Sequence, residues 1–296
     1  MSTSTASLPA AQAGTITIGG DLTVNRMGFG AMRITGSGIW GPPADVKGAI
    51  ATLRRAVELG VNFIDTADSY GPDVSEELIA QALRPYPAGL VITTKAGWTR
   101  HGPGVWQHNA SPAHIEEAIQ GSLKRLRLER IDIYQLHVPD PAVSFDASME
   151  TLARLKEQGT IHHVALSNVT LEHIKRAQKI VPIVSVQNRY SFSDREWDFV
   201  VDYCEANGIA FLPWAPMAQA RKANEMVEKI AAERNVSTVV VSLAWLLRRS
   251  TVVLPIPGTS NVKHLEENVS AAALQLTDAE FAEMNTVVPK PYSLRG

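Results

Sequence analysis

The sequence has only one cysteine, Cys204 in the stretch REWDFVVDYCEANG, so an internal disulfide is excluded and we expect this thiol to serve packing. It also lacks any run of eighteen apolar residues, which argues against a membrane-spanning helix. Neither charge is in excess, with 28 basic and 30 acidic residues and a formal net charge of -2. Because nucleic acids and anionic membranes require a basic surface, neither is an expected partner.

The first fourteen residues, MSTSTASLPAAQAG, carry no charge. They therefore lack both the basic start of a secretory signal and the arginines of a transit peptide. We expect residues 1–14 to form a flexible tail on a cytoplasmic protein, and residues 15–296 to form a single domain. No metal site is expected, and the expected assembly is a monomer or a weak homo-oligomer.

Short apolar runs alternate with longer amphipathic runs along the chain, which is the pattern of parallel strands joined by helices. Eight apolar runs are present, the number that closes a (β/α)8 TIM barrel in the α/β class. They are MGFGAM, VNFIDT, LVITTK, IDIYQLH, HHVALSN, IVSVQN, IAFLPWA and TVVLPIP. In front of them, TITIGGDLTV predicts a β-hairpin, and STVVVSLAWLLRRS predicts an extra helix before the last strand.

Several helix boundaries carry capping signals. Helix starts are expected at Ser111-Pro112, at Ser193 with Glu196 and at Thr277 with Glu280, and helix ends at Gly159 and Gly208. The competing architecture is a doubly wound dinucleotide fold, because Gly28 and Gly30 form a G-x-G pair. That fold would lead straight into a helix, whereas GFGAMRITGSGIWGPP continues with glycine and proline, so the barrel is the preferred interpretation.

Polar side chains follow the apolar strands at their carboxyl ends, where a barrel forms its active site. They are Asp65 and, just beyond it, Tyr70, then Lys95, His137 and the pair Ser167-Asn168. Each alone has an ordinary explanation as a solvated or capping residue. Together a carboxylate, a phenol, an ammonium and an imidazole form a proton-transfer set, in which the ammonium lowers the pKa of the phenol and the carboxylate holds the ammonium.

Eight motifs occur in one order from about Thr15 to Thr286: GFGAM, GVNFIDTADSYG, ITTKAG, LHVPDP, VALSNV, VQNRYS, PWAPM and IPGTSNVKHLEEN. In this set and order the sequence resembles the aldo-keto reductase superfamily. The resemblance implies a (β/α)8 barrel that binds NADPH and reduces aldehydes or ketones. Carried over by position, it implies a catalytic tetrad of Asp65, Tyr70, Lys95 and His137.

The same resemblance implies a cofactor site along the barrel mouth. The nicotinamide half would meet Gly30, Ala31, Met32, Asp65, Ser167, Asn168, Gln187 and Trp214. The diphosphate would meet Ala215, Pro216, Met217 and either Arg221 or Lys222. The adenosine end would meet Gly258, Thr259, Ser260, His264, Glu267 and Asn268, because helix N-termini favour phosphates.

Two positions depart from the aldose-reductase-like branch, which has a lysine at Gly258 and an arginine at His264 to hold the 2′-phosphate. The segment IPGTSNVKHLEEN looks more like the branch that contains potassium-channel β subunits and several bacterial reductases, which use NADPH without those cations. NADPH/NADP+ is therefore the expected cofactor rather than NADH. Lys263 is a weaker candidate for binding the 2′-phosphate, because it does not share a helix face with His264.

A substrate pocket for a small carbonyl compound is expected above the nicotinamide, lined by Met32, Trp40, Tyr70, Trp98 and His137. Trp106 in GWTRHGPGVWQHNAS is better explained by loop packing. The last stretch, VVPKPYSLRG, is short, so we expect an open mouth that admits cyclic or bulky carbonyls. The sequence also resembles a bacterial group that includes pyridoxal reductases, in the segments GPP, YGPDVSEELIAQAL and IPGTSNVKHLEEN. This resemblance makes pyridoxal a candidate substrate.

Two other functions stay open. A regulatory subunit that binds NADPH and reports redox state would resemble the channel β subunits, although the complete tetrad favours turnover. A hydrolytic barrel built on Asp65 and another carboxylate would leave Lys95, the LSN motif and Trp214 without a role.

Overall fold

The computed structural model describes residues 8–216 and 225–286. Its strands are β1 (Thr15–Ile18), β2 (Leu22–Asn25), β3 (Phe29–Gly30), β4 (Phe63–Asp65), β5 (Val91–Ala96), β6 (Trp98–Gly102), β7 (Val105–His108), β8 (Ile131–Leu136), β9 (Ile161–Ser167), β10 (Ile183–Gln187) and β11 (Ala210–Phe211). Seven of them form a parallel sheet in the order β11-β10-β9-β8-β5-β4-β3. The pairs β1-β2 and β6-β7 are antiparallel hairpins outside that sheet.

The eighth predicted strand closes the barrel as an extended segment instead of a regular strand. The amide of Leu254 donates to the Phe211 carbonyl at 2.9 Å, and the amide of Gly28 donates to the Pro255 carbonyl at 2.9 Å. Pro255 and Pro257 have no N–H to donate, so this segment pairs through fewer hydrogen bonds than its neighbours. The ring from β3 to β11 is thus joined, and the predicted (β/α)8 barrel with an N-terminal hairpin is confirmed.

The barrel is surrounded by helices whose apolar faces pack against the strands. They are α1 (Val46–Glu58), α2 (Val74–Leu83), α3 (Pro112–Leu126), α4 (Phe145–Glu157), α5 (Leu171–Ala177), α6 (Asp198–Ala206), α7 (Glu225–Arg234), α8 (Thr238–Arg249), α9 (Val262–Ser270) and α10 (Asp278–Asn285). Among the described residues no single helix is long and apolar enough to cross a membrane; only α7 and α8 taken together pass, and they meet at a 99° bend.

Most of the predicted helix boundaries are confirmed. Ser111 caps α3 by accepting from the His114 amide, Thr277 and Glu280 form a reciprocal capping box on α10, and α8 is the predicted extra helix. The start predicted at Ser193 is wrong, because α6 begins at Asp198. Ser191 and Asp194 instead exchange two backbone hydrogen bonds, which makes this stretch a tight turn.

The N-terminal hairpin covers the floor of the barrel, at the end opposite the strand termini that carry the polar residues. Ile18 and Val24 are buried there against Phe63 and Ile133 from the barrel interior. Asp21 in the hairpin turn also contacts the ring of His163 at 2.7 Å. The hairpin therefore closes one end of the barrel and leaves the other end available for a site.

One sequence expectation outside the barrel is wrong. Part of the expected flexible tail is ordered, since Pro9–Ala13 form a 3-10 helix in which Ala10 is fully buried and donates its amide to the Leu59 carbonyl. The order of this segment comes from contact with a distant part of the chain. The stretch GWTRHGPGVWQHNAS after β5 contains the hairpin β6-β7, whose two strands pair with each other.

Candidate active site

Three of the predicted catalytic side chains meet at one buried ammonium group. Lys95 is fully buried, and its Nζ donates to Asp65 Oδ2 at 2.7 Å, to the Thr66 carbonyl at 2.7 Å and to the Tyr70 hydroxyl at 3.3 Å. Asp65 ends β4 and Lys95 lies near the end of β5, so the pairing of these strands brings the two charges together. All three N–H groups of the ammonium have a partner.

His137 completes the group from the end of β8. Its ring stands edge-on to the ring of Tyr70, with centroids 5.8 Å apart, and its Nδ1 lies 3.5 Å from the Ser69 hydroxyl. The barrel therefore brings all four predicted catalytic residues together at the carboxyl ends of neighbouring strands.

Two glutamines hold the second oxygen of Asp65. Oδ1 accepts from the side-chain amides of Gln135 at 2.9 Å and Gln187 at 2.8 Å. The resemblance implies that Gln187 contacts the nicotinamide, which stays a prediction; Gln187 lines the cavity, and its Nε2 donates to the carboxylate of Asp65. Gln135 was not predicted, because it lies inside the strand motif YQLH and faces the barrel interior. Both amides fix the rotamer of Asp65 and so the position of Lys95.

Burial decides the protonation of the site. It raises the pKa of Tyr70 above its usual value of 10.0, and the Lys95 charge offsets only part of this, so the expected net lowering is wrong. Burial lowers the pKa of Lys95, but Asp65 and Tyr70 together outweigh it and the net shift is upward. Burial and the Lys95 charge hold the pKa of His137 well below its usual range. Near pH 7 the phenol is therefore protonated, the ammonium charged and the imidazole neutral.

A cavity of about 710 Å³ opens above these residues. It is lined by Gly30, Met32, Arg33, Asp65, Tyr70, Trp98, Trp106, His137, Ser167, Asn168, Gln187, Trp214, Ala215, Pro216, Ile256 and Gly258. Most of the predicted cofactor and substrate residues of the described chain are thus gathered around one space. Arg33, which directly follows the predicted strand MGFGAM, and Ile256, which lies within TVVLPIP, were not predicted as site residues.

Some predicted site residues lie elsewhere. Trp40 is not among the described residues that line the cavity; its ring instead lies 5.7 Å from the Arg100 guanidinium. Ala31 is fully buried beneath the surface, and its carbonyl accepts from Ser75 Oγ at 3.1 Å. Trp106, for which loop packing was expected, lines the cavity. The predicted contacts Met217, Arg221 and Lys222 lie outside the described residues.

Asn168 connects the predicted nicotinamide residues to His137. Its Nδ2 donates to the His137 carbonyl at 3.0 Å and to Ser167 Oγ at 3.1 Å, while its Oδ1 accepts from the Trp214 indole at 3.0 Å. Its backbone is left-handed, with φ of 56°, a conformation that asparagine tolerates better than most residues. This network fixes Trp214 at the rim of the cavity.

The two predicted cofactor glycines lie at the seam that closes the barrel. A Cβ on Gly258 would be 2.5 Å from the Gly30 carbonyl oxygen, and a Cβ on Gly30 would be 2.7 Å from the Ile256 carbonyl oxygen. A lysine at position 258, as in the aldose-reductase-like branch, would therefore require this seam to move. Glycine here leaves an open backbone cradle at the edge of the cavity.

The start of α9 follows this cradle and is already capped by the chain. Asn261 Oδ1 accepts from the amides of Lys263 at 2.9 Å and His264 at 3.3 Å, and Thr259 Oγ1 accepts from the Asn261 amide at 3.1 Å. Ser260 and His264 are exposed. Of the other predicted contacts on this helix, Glu267 is half-buried and Asn268 is buried.

Aromatic rings from the hairpin β6-β7 form one wall of the cavity. Trp98 stacks on His108 with ring centroids 4.3 Å apart, and meets Trp106 edge-on at 5.9 Å and His137 edge-on at 6.4 Å. This wall therefore extends directly from the imidazole of His137, for which a catalytic role is predicted.

Arg100, on β6, connects this aromatic wall by hydrogen bonds to the loops that follow β3 and β4. Its five N–H groups donate to five carbonyl oxygens, those of Gly38, Ile39, Ser69, Gly102 and Val105. Its guanidinium also lies 3.8 Å from the centre of the Trp106 ring. Sequence reasoning missed this residue, because its partners are backbone groups of loops that are distant along the chain.

Replacing Arg100 by methionine is expected to loosen the aromatic wall. Five buried or half-buried carbonyls lose a charged donor, so we expect the free energy of unfolding to fall by about 2–4 kcal/mol. For the NADPH-dependent carbonyl reduction that the resemblance implies, we also expect KM for a bulky aromatic aldehyde to rise about tenfold while NADPH affinity stays nearly constant. Urea unfolding, steady-state kinetics and fluorescence titration check this, with the exposed Arg130→Met as control. An unchanged KM would show that Arg100 does not shape the pocket.

Residues 26–289 match the model of the Aldo/keto reductase family. The chain is 48% identical over 278 residues to an uncharacterized oxidoreductase from Schizosaccharomyces pombe, and this alignment covers 93% of this chain and 90% of that protein. It is 40% identical over 275 residues to pyridoxine 4-dehydrogenase from Escherichia coli, and this alignment covers 90% of this chain and 96% of that protein.

Solved structures agree on the fold. An aldo-keto reductase from Klebsiella pneumoniae in complex with NADPH aligns with a TM-score of 0.79 at 23% identity, over 94% of this chain and 96% of that one. At this identity the likeness supports the barrel and the order of its elements.

Proposed function

The chain belongs to the aldo/keto reductase family and is an oxidoreductase, and from this premise we propose that it uses NADPH to reduce an aldehyde or ketone to the alcohol. The observation that carries the proposal is the buried contact of Lys95 with Asp65 and Tyr70 beside His137, at the base of an open cavity. This arrangement supplies a protonated phenol next to a fixed positive charge, which a carbonyl reduction requires.

The residues around the cavity fit a nicotinamide dinucleotide. At one part of the rim Trp214 offers an aromatic face for a nicotinamide ring, and Asn168 Oδ1, which accepts one hydrogen bond from the indole, can accept a second from the carboxamide. Gly30 and Gly258 leave a backbone cradle that any side chain would fill. At the start of α9 beyond it, the Lys263 and His264 amides are already capped by Asn261, so a phosphate there would meet the exposed side chains of Ser260 and His264.

The chain's own residues handle the proton. When bound, the reduced nicotinamide supplies a hydride to the carbonyl carbon, and the carbonyl electron pair moves onto oxygen. Tyr70 gives that oxygen its hydroxyl proton, and the resulting phenolate is stabilised by the Lys95 ammonium at 3.3 Å. Asp65 keeps the ammonium in place. His137, neutral in this environment, donates a hydrogen bond that orients the carbonyl oxygen.

For the substrate we propose a cyclic or bulky carbonyl compound, with pyridoxal as the first candidate. The aromatic wall of Trp98 and Trp106 suits a flat ring, and a relative at 40% identity is named pyridoxine 4-dehydrogenase. A screen of pyridoxal, aromatic and aliphatic aldehydes and cyclic ketones, followed by NADPH absorbance, tests this. Preference for short aliphatic aldehydes over pyridoxal would contradict the substrate proposal.

The same screen separates catalysis from the alternative, a redox-sensing subunit that binds NADPH with little turnover. Binding of NADPH without oxidation by any carbonyl would favour the alternative. A cytoplasmic location and a monomeric or weakly associated state remain predictions, and size-exclusion chromatography checks the second.

NADPH is expected to bind more tightly than NADH, because the exposed Ser260 and His264 lie at the start of α9 where the 2′-phosphate is proposed to bind. His264→Arg should tighten NADPH binding several-fold by adding a forked cation, with little change for NADH. Quenching of tryptophan fluorescence measures both affinities. Equal gains for the two cofactors would mean that residue 264 does not meet the 2′-phosphate.

A further inference from the structure

Three side chains of metal-binding type meet at the floor of the barrel, at the end opposite the candidate active site. His162 Nε2 lies 2.5 Å from Asp21 Oδ2, and His163 Nε2 lies 2.7 Å from Asp21 Oδ1. One ligand atom from each side chain lies within 4.8 Å of the other two. Two imidazoles therefore share one carboxylate here, and the proposed carbonyl reduction does not use them.

The two histidines are adjacent at the start of β9, yet both rings reach the same carboxylate. Successive side chains of a regular strand point to opposite faces of the sheet. Here the ring centroids of His162 and His163 lie only 4.1 Å apart, with the ring planes inclined at 54°. The start of β9 therefore presents two ring nitrogens to one point, as a metal site requires.

The turn between β1 and β2 is shaped around these imidazoles. A Cβ on Gly19 would lie 2.4 Å from Cε1 and 2.5 Å from Nε2 of His163, so a glycine lets the turn lie directly over this ring. The side chain of His163 is 10% exposed, whereas those of Asp21 and His162 are 49% and 26% exposed. The turn thus holds its carboxylate beside a nearly buried imidazole and leaves one side open to an ion from solution.

The separations between the ligand atoms are close to those around a coordinated ion. Zn2+ binds imidazole nitrogen and carboxylate oxygen at about 2.0–2.2 Å, so tetrahedral geometry places these atoms about 3.4 Å apart. The carboxylate of Asp21 would have to withdraw from each nitrogen by less than about 1 Å. A neutral imidazole offers an Nε2 lone pair to the ion when its proton is on Nδ1.

The charged groups around this site balance one another. The ammonium of Lys156 donates to the His162 carbonyl. Burial raises the pKa of Asp132, and the nearby Arg130 and the two histidines act against that rise. Two side-chain cations therefore accompany two carboxylates, those of Asp132 and Asp21, so no excess of positive charge opposes a divalent cation.

We propose that Asp21, His162 and His163 bind a zinc ion that links the β1-β2 hairpin to β9, an inference independent of the proposed function. Two imidazoles and a carboxylate are ligands that suit Zn2+, whereas Mg2+ prefers oxygen ligands alone. Water takes the fourth position, because this site is open to solvent on one side. The sequence predicts no metal site, because Asp21 lies 141 residues before His162 and only the fold brings them together.

Titration of the tag-free chain with Zn2+ in a calorimeter, after treatment with EDTA, tests the site. We expect wild type to bind one equivalent, and Asp21→Asn and His162→Gln to bind at least about tenfold more weakly, since even residues that only orient a metal ligand contribute that much. His101→Gln removes an exposed histidine of β6 at the mouth and should match wild type.

Thermal unfolding provides a second measurement on the same proteins. Zn2+ at a hundredfold excess over its dissociation constant should raise the Tm of wild type by about 5 °C and leave that of Asp21→Asn unchanged. Mg2+ should change neither. The affinity of wild type for NADPH should be the same with and without Zn2+, because the ion binds at the end opposite the cavity.

Four results would overturn the assignment. The absence of Zn2+ binding, or an equal response to Mg2+, would show that the three side chains form no zinc site. Undiminished binding by both Asp21→Asn and His162→Gln would place the ion elsewhere on the chain. A lower Tm of Asp21→Asn in EDTA, with no response of wild type to Zn2+, would show that hydrogen bonds alone join the hairpin to β9. Circular dichroism verifies that both variants, which replace partly exposed side chains, are folded.

Discussion

Tyr70→Phe is expected to slow carbonyl reduction at least a hundredfold while leaving NADPH affinity nearly unchanged. The substitution keeps the ring that stands edge-on to His137 and removes only the hydroxyl that lies 3.3 Å from Lys95 Nζ. Loss of a general acid costs about 10²–10⁴ in rate. Steady-state kcat and fluorescence titration of NADPH measure the two effects separately.

A second tyrosine provides a matched control. The Tyr86 hydroxyl donates to the Leu126 carbonyl at 2.8 Å, away from the cavity, so Tyr86→Phe should keep wild-type turnover. Because burial raises the pKa of Tyr70 above 10.0, its acid form is lost only at higher pH. Reduction should therefore show no fall due to this group between about pH 6 and pH 9.

Lys95→Met is expected to cost activity on the same scale and to destabilise the protein. The ammonium is fully buried and is the ion-pair partner of Asp65, whose side chain is 4% exposed. Removing one partner of a buried ion pair costs about 3–5 kcal/mol, because the other charge is left uncompensated. The two glutamine amides on Asp65 offset part of that cost. Urea unfolding and kcat with NADPH check both effects.

Two further variants serve as controls for Lys95→Met: the same substitution at another lysine, and a substitution of Asp65, the ion-pair partner of Lys95. Lys156→Met removes an ammonium that donates to the His162 carbonyl, outside the cavity, and should leave kcat unchanged.

Asp65→Asn should be milder than Lys95→Met if the lysine keeps its position. The Tyr70→Phe/Lys95→Met double variant should be little slower than either single variant, since both residues serve one proton transfer. Fully additive losses would mean that the two act independently.

The sequence was sufficient to predict the barrel and the meeting of Asp65, Tyr70, Lys95 and His137 in one place; their catalytic roles stay predictions. The eight apolar runs and the polar residues that follow several of them are local patterns, which can be read directly from the sequence. Pairing of the predicted strands then makes neighbours of residues that are distant along the chain, such as Asp65 and Lys95. The capping signals at Ser111 and Thr277 were also local and were confirmed.

The features that could not be predicted depend on tertiary contacts. Arg100 bonds to loop carbonyls, Gln135 points inward from a strand whose two faces are both buried, and Pro9–Ala13 are ordered by packing against residues near Leu59. The sign of the Tyr70 pKa shift also depends on burial, which outweighs the charge of its neighbour. No local pattern reports how deeply a side chain is buried.

The rate of NADPH oxidation in a single turnover by Tyr70→Phe, with saturating carbonyl substrate, tests the central claim most directly. Single-turnover conditions follow the chemical step without the masking effect of product release. Our account, in which Tyr70 donates the proton as hydride reaches the carbonyl carbon, predicts a rate at least about a hundredfold below wild type at equal cofactor saturation. A rate above about a tenth of wild type would contradict it, because the loss of a general acid costs far more than that.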